Sequence, residues 1–392
     1  MTDTSRSSTR RRVEVLPVED AHASEVAEFY RAVWDPAATP ERVRTARAAA
    51  GAANLAEPGK PLPTFAVFIE GRIVGYVSSL SVRVRAGGDA QPAYWVKGLM
   101  VLPEYRNGPI GYTVLKALVA SLPRSLALTV APASRRLFGS LGYHDHGAVP
   151  NFLRMLRPDR VMARLDLDRL QLQGLPRWAP AVIRGIQRSG LASLGGYALR
   201  AMTAAQMAVV GGSDRTEGVA SSEEPKADLL DDLWLAAGPS FPMGVVRNAA
   251  YLLGRYAGPG SRGGVYRWVV VQRLGRPVAV AVVRRPGRGD SRLAGIRLAT
   301  LADLVVGLED PGAALAAVSG VERVARDWDA DGILATMSHP AAVRVLRRRA
   351  YMRLPGNVHF LTRNVSGSGP AWSSRPEDWW LCRGDGESDG AL

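Results

Sequence analysis

Two twenty-residue stretches of the chain align without a gap: "SRRLFGSLGYHDHGAVPNFL" at 134–153 and "AVRVLRRRAYMRLPGNVHFL" at 342–361. The alignment pairs Tyr143 with Tyr351 and Phe152 with Phe360. Two further pairings run in the same order. A Gly71-Arg72 turn between strand-like runs recurs as Gly275-Arg276, and "LMVLPE" at 99–104 answers "LVVGLE" at 304–309, so the offsets span 204 to 208 residues. Such ordered self-similarity points to a duplicated domain and constrains the chain to build one fold twice.

The unit being repeated is mixed α/β. "VEVLPV" reads as a strand, and "ASEVAEFYRAVW" places Val26, Phe29, Tyr30 and Val33 on one helical face. A basic helix, "PERVRTARAAAGAAN", follows, then "TFAVFIE" and "RIVGYVSSLSVRV" as an antiparallel hairpin, and "AYWVKGLMVL" as the next strand. "YTVLKALVASL" is helical, "SLALTVAP" a strand, "ASRRLFGSLGY" a short helix ending at Gly142, and "VPNFLRML" a last strand. With 392 residues, 47% of them hydrophobic, two cores can be filled. The pattern predicts a disordered basic tail over 1–12, a first domain over 13–158, a connector of amphipathic helices and polar linker over 159–244, and a degenerate second copy with a C-terminal tail over 245–392.

The chain carries 50 Lys+Arg against 36 Asp+Glu, a formal charge of +14. That charge suits an anionic cofactor, substrate or surface. Its arginines are scattered, as a GC-rich genome would also produce. A nucleic-acid binder would cluster them on one element with interleaved aromatics, so nucleic acid is not the expected partner. "PRWAPAVIRGIQRSGLASLGGYALRAM" is basic and apolar enough to lie on a membrane surface, although packing between domains explains it equally. The lone cysteine, Cys382, excludes an internal disulfide, and no His and Asp/Glu spacing resembles a metal site. With neither a secretory signal nor an apolar run of spanning length, a cytoplasmic location is expected.

The chemistry concentrates in "PEYRNGPIG", 103–111, where a strand feeds a helix through a basic, Gly-containing turn. A helix beginning near Pro109 leaves its first amides unpaired at the positive end of the peptide dipole. Arg106 adds charge, and Gly108 and Gly111 permit close approach, which together make an anion cradle. "LMVLPEYRNGPIG" resembles the acetyl-CoA-binding stretch of the GCN5-related N-acetyltransferase (GNAT) family, patterned L-x-V-x-P-x-[YF]-R-x-x-G-x-[GA], through Leu99, Val101, Pro103, Tyr105, Arg106 and Gly111. "LFGSLGY" is similar to that family's later helix end, and the whole, including "DWWLCRGDGESDG", resembles bacterial two-domain GNAT proteins.

The resemblance implies an α/β (α+β) fold of two tandem GNAT-like acyl-CoA N-acyltransferase domains, each a mixed, mostly antiparallel sheet flanked by helices. Leu99, Met100 and Val101 would pair with the pantetheine of acetyl-CoA, and the turn from Arg106 through Asn107, Gly108, Ile110, Gly111 and Tyr112 would hold its pyrophosphate. An acetyl group would pass by direct attack to a primary amine of a small molecule or peptide. A backbone N–H near Val101 would polarise the carbonyl and a general base would take the amine proton.

Three residues depart from the family pattern. Pro109 stands at the first glycine and removes one amide donor; at about 1.5–3 kcal/mol for a hydrogen bond to a charged group, that weakens cofactor binding by one to two decades. Phe138 replaces the tyrosine that protonates the leaving thiolate in many members, and Ala131 replaces a frequent asparagine. No carboxylate lies on "WVKGLMV"; base candidates are Glu104, His144 with Asp145, and His146, besides a water relay and a purely solvated role for each. In the second copy, Glu309 and Asp310 sit where a phosphate would, so that copy is expected to leave CoA alone. There Arg247, Tyr251 and Arg255, spaced by four, suit an anionic acceptor or simply a packed helix face. A catalytically weak or inactive protein of the same architecture, serving as a binding or scaffold subunit, is the competing expectation.

Overall fold

The computed structural model describes residues 12–128, 132–164, 185, 218–222, 224–257, 265–287, 295–354, 358–365 and 372–386. The basic tail before residue 12, Ala131, nearly all of the amphipathic connector and residues 387–392 lie outside them. Two compact units emerge. One comprises residues up to Ser81 with Ala93–Ser125, the other Val82–Pro92 with residues from Leu126 onward.

In the first unit β1 (Val13–Pro17), β2 (Thr64–Ile69), β3 (Arg72–Ala86) and β4 (Ala90–Val101) lie side by side in that order. The first three pair antiparallel. Helix α1 (Ala23–Val33) buries Val26, Ala27 and Phe29. The N-terminus of α2 (Pro40–Ala52) is set by Thr39, which accepts from the Arg42 amide, and by Pro40 in the first turn. Helix α3 (Ile110–Ala120) buries Val114, Leu115 and Leu118, the spacing of one apolar stripe.

After β5 (Arg124–Leu128), the second unit continues through α4 (Pro132–Ser140), β6 (His144–Ala148), β7 (Asn151–Met155) and α5 (Pro158–Arg164). It resumes with β8 (Val219–Ser222), α6 (Ala227–Ala237), β9 (Met243–Val245), α7 (Ala249–Tyr256), β10 (Tyr266–Arg273), β11 (Arg276–Arg284) and β12 (Leu298–Val306). Then come α8 (Pro311–Asp327), β13 (Gly332–Thr336), α9 (Pro340–Arg348), β14 (Met352–Leu354), β15 (His359–Asn364) and β16 (Trp379–Trp380). A seven-stranded sheet runs β14-β7-β13-β12-β11-β10-β8, with β12 and β13 parallel. Part of the stretch read from sequence as connector and solvated linker is ordered here. Strand β8 pairs with β10, and α6 buries Leu230 and Leu233 and packs on β11. Strand β8 is only four residues long, too short to show an alternating pattern.

The duplication is legible in backbone detail. Both hairpin turns place two consecutive residues at positive φ, Glu70 (52°) with Gly71 (79°) and Leu274 (50°) with Gly275 (76°), as a two-residue type I′ turn requires. The turns therefore centre one residue earlier than Gly71-Arg72 and Gly275-Arg276 suggested. Helices α4 and α9 end alike. Tyr143 donates to the Phe138 carbonyl at 3.2 Å and Tyr351 to Leu346 at 3.0 Å, with Gly142 (83°) and Ala350 (56°) in the left-handed conformation at aligned positions.

The last strand of each copy crosses over. β7 leaves β6 after two residues and pairs antiparallel with β13, Asn151 opposite Thr336 and Phe152 opposite Ala335. β15, the aligned strand of the second copy, pairs antiparallel with β6, Leu361 opposite Asp145 and Thr362 opposite His144. Phe152 and Phe360 are each fully buried. Thr336 donates through its hydroxyl to Asn151 across the first exchange. A chain ending at residue 158 would leave β7 without its ladder and β6 without the strand it pairs with. We expect residues 1–158 alone to give a poorly dispersed amide NMR spectrum, whereas the full chain gives a dispersed one.

Candidate functional site

The end of β4 changes character at Gly98. Residues Ala93–Val96 are buried, but Gly98 takes φ of 62°, a left-handed conformation suited to glycine, and Leu99, Met100 and Val101 beyond it are only half-buried. The chain then turns. Leu102 is anchored by its amide to the Val74 carbonyl at 3.0 Å, and Pro103–Tyr105 form one 3-10 turn. Within the turn the Arg106 amide donates to Pro103 and the Gly108 amide to Tyr105, so those two are spent internally.

Helix α3 starts with Pro109 as its N-cap, at φ −77° and ψ −3°. The first amide to bond back is that of Thr113, to the Pro109 carbonyl at 2.9 Å. Ile110, Gly111 and Tyr112 therefore begin the helix without an intrahelical acceptor, three donors where the sequence suggested a cradle extending back to Arg106. The helix start comes close to β3 because residue 75 is glycine: a Cβ there would stand 2.5 Å from Ile110 Cγ2. The Arg106 guanidinium folds back to the Val101 carbonyl at 3.2 Å, which places its charge beside the strand end. Asn107 is exposed in the same turn.

The base candidates are disposed differently. Glu104 is exposed and faces Arg72 at 3.5 Å. His144 is exposed on β6. His146 is enclosed, 9% exposed, stacked on Phe360 at 4.8 Å between ring centroids and close to Trp379. Its Nδ1 faces the Ser374 carbonyl at 3.0 Å, which can only accept, so Nδ1 carries the proton and Nε2 accepts from the Thr362 hydroxyl at 2.8 Å. Burial holds its pKa below the usual histidine value. Phe138 is 3% exposed and packs edge-on against Tyr143 at 4.8 Å. Sequence reasoning missed a phenol pair, the Tyr30 hydroxyl donating to that of Tyr76 at 3.0 Å beside half-exposed Trp34. The four-residue spacing of Tyr30 and Trp34 was the available signal.

Arg247, Tyr251 and Arg255 do converge, but on the chain itself. Arg247 precedes α7 rather than lying on it. It is 1% exposed and donates to Asp303 Oδ1 at 2.7 Å and Asp385 Oδ2 at 2.6 Å. Tyr251 donates to Asp385 Oδ1 at 3.3 Å and Arg255 to the Gly386 carbonyl. Burial pushes the Asp385 carboxyl above its usual range, opposed by Arg247. The anion this face selects is thus Asp385, which ties the C-terminal segment into the second unit.

Residues 24–143 match the model of the Acetyltransferase (GNAT) family. This stretch is similar to the GNAT acetyltransferases. Solved structures share the two-sheet fold of the whole chain. Saccharomyces cerevisiae N-myristoyltransferase with bound myristoyl-CoA is similar at a TM-score of 0.56 and 13% identity, covering 94% of this chain and 84% of that one. A probable N-acyltransferase of unknown function from Enterococcus faecalis V583 gives 0.53 and 11%, with 90% and 73% covered. A GCN5-related N-acetyltransferase from Kribbella flavida gives 0.50 and 15%, with 91% and 71%. No curated protein matches the sequence.

The second GNAT-like copy closes the two features that the first leaves open. A bulge lies in β12, where Val282 faces Asp303 but Val283 faces Leu301. Beyond it Leu304, Val305 and Val306 are at most 2% exposed, and the Trp380 indole donates to the Leu304 carbonyl at 2.9 Å. At the start of α8 the Asp310 carboxylate accepts from the Ala313 amide at 2.9 Å and pairs with Arg273 at 2.7 Å, while the Leu308 amide donates to the Ser240 hydroxyl at 3.1 Å.

Two stability predictions follow from these contacts. Replacing Arg247 with alanine leaves Asp303 and Asp385 buried without their cation, and urea unfolding should register a loss of about 3–5 kcal/mol. His146 is held neutral in the fold, so the unfolded chain binds its proton first as pH falls. The stability it contributes is complete above the unfolded value of about 6.5 and is lost as pH drops through that value towards the lowered one. His339, whose pKa is also lowered, chiefly by burial, acts in the same sense. Thermal melts from pH 7 to pH 5 should show a falling midpoint, with a flatter slope in His146→Gln.

Proposed function

We propose that the first GNAT domain is an acyl-CoA-dependent N-acyltransferase acting on a primary amine, with acetyl-CoA as donor. One observation carries this reading: a strand end left half-buried beyond Gly98 leads through one turn into a helix whose first three amides have no intrahelical acceptor. Leu99, Met100 and Val101 would offer their backbone groups to the pantetheine arm as a neighbouring strand would. Ile110, Gly111 and Tyr112, with the Arg106 charge nearby and Asn107 and Gly108 in the turn, would hold the pyrophosphate. The bound thioester supplies the activated acyl group. The protein's part is to orient it, to direct an N–H near Val101 at the carbonyl oxygen, and to admit a neutral amine.

The competing reading, a binding or scaffold subunit of weak or absent activity, draws on Pro109, which has no N–H to give, and on Phe138, which has no hydroxyl. Calorimetry on the full chain separates the readings. We expect saturable acetyl-CoA binding. Gly111→Glu should abolish it by setting a carboxylate against the phosphates, and Pro109→Gly should tighten it about ten- to hundredfold, the worth of one restored hydrogen bond to a charged group. Absence of binding at millimolar acetyl-CoA defeats the enzyme reading. Binding without acetylation of any amine in a panel of small amines and peptides favours the scaffold.

A further inference from the structure

The second copy has closed its strand end and capped its helix, yet a cleft of about 140 Å³ remains at the same strand-turn-helix junction. Its walls are apolar: Val306 at the end of β12, Leu308 in the turn, Ala314 on α8, Val345 on α9, and the buried face of Trp380. Three charged side chains line it. Asp310 is already engaged by Arg273 and by the Ala313 amide. Arg344 and Arg348 are four residues apart on α9, hence on one face, and among the described residues neither has a hydrogen-bonding or ion-pair partner.

This donor set discriminates among ligands. An amine or metal cation would meet two unneutralised guanidinium groups. A pyrophosphate seeking helix amides would find the Ala313 amide satisfied and the Asp310 carboxylate in front of it. What remains complementary is an anion small enough for a guanidinium fork, joined to an apolar body that fills the cleft. The geometry points to a binding site for an amphiphilic monocarboxylate, an alkyl or arylalkyl acid whose carboxylate meets Arg344 and Arg348 and whose hydrocarbon lies on Val345, Ala314 and Trp380.

The proposal stands apart from acyl transfer by the first domain, because every residue it uses belongs to the second copy. Decanoate is the probe, titrated calorimetrically into the full chain. We expect one site per chain, at least tenfold weaker binding of the uncharged isostere decanol, and at least a tenfold loss in Arg344→Gln/Arg348→Gln. Filling the cleft by Ala341→Trp, at a half-buried lining position, should remove binding while circular dichroism stays unchanged. Ala314→Trp is a second filling variant should the first disturb the helix. Saturating acetyl-CoA should leave decanoate affinity unaltered. Equal binding of decanol, retention of binding in both folded tryptophan variants, displacement by acetyl-CoA, or no saturable decanoate binding at all would each overturn the assignment.

Discussion

The structure depends on an exchange of strands between two copies of one fold. Neither copy completes its sheet with its own last strand: β7 lies against β13 and β15 against β6. The hydrophobic effect alone would accept many partners for an apolar strand. Here Asn151 opposite Thr336, with the hydroxyl donating to the amide oxygen, and Arg383 donating to that hydroxyl at 3.0 Å impose polar requirements on the first exchange. His146 plays the equivalent part at the second, joined to Thr362 of the incoming strand.

From this shared frame the copies have diverged at one junction. In the first copy Gly98 takes a positive φ before the half-buried strand end. Aligned with it in the second copy is Asp303, whose carboxylate is drawn inward by Arg247 and Tyr256, while Trp380 covers the strand end. An opening left accessible in one copy has thus become, in the other, a place where the chain binds itself. The cost of burying Asp303 and Asp385 is offset by Arg247, Tyr251 and Tyr256, which is why that cluster tolerates no loss of its cation.

Much of this was legible in the residues. Pro109 marks the helix start, Thr39-Pro40 another, and the gapless match of 134–153 to 342–361 anticipates two helix ends that agree to the hydrogen bond. What periodicity could not convey was which sheet each strand joins, because β7 and β15 have the same pattern whether they return to their own copy or cross to the other. Arg247, Tyr251 and Arg255 were read as one helix face, but Arg247 precedes the helix and the three meet Asp385 and Gly386, distant in sequence; a spacing of four says nothing about burial. The strand Val219–Ser222 escaped notice because four residues are too few to show an alternating pattern.

The crossover also orders events in time. The partner of β6 begins at His359, more than two hundred residues after the strand it completes, and the partner of β7 begins at Gly332. Closing such long loops must precede any reward from the contacts they make, so the exchange belongs among the slow steps of folding. During synthesis the first copy would emerge with an apolar strand and an unpaired edge, and would have to wait for almost the whole chain before either was covered.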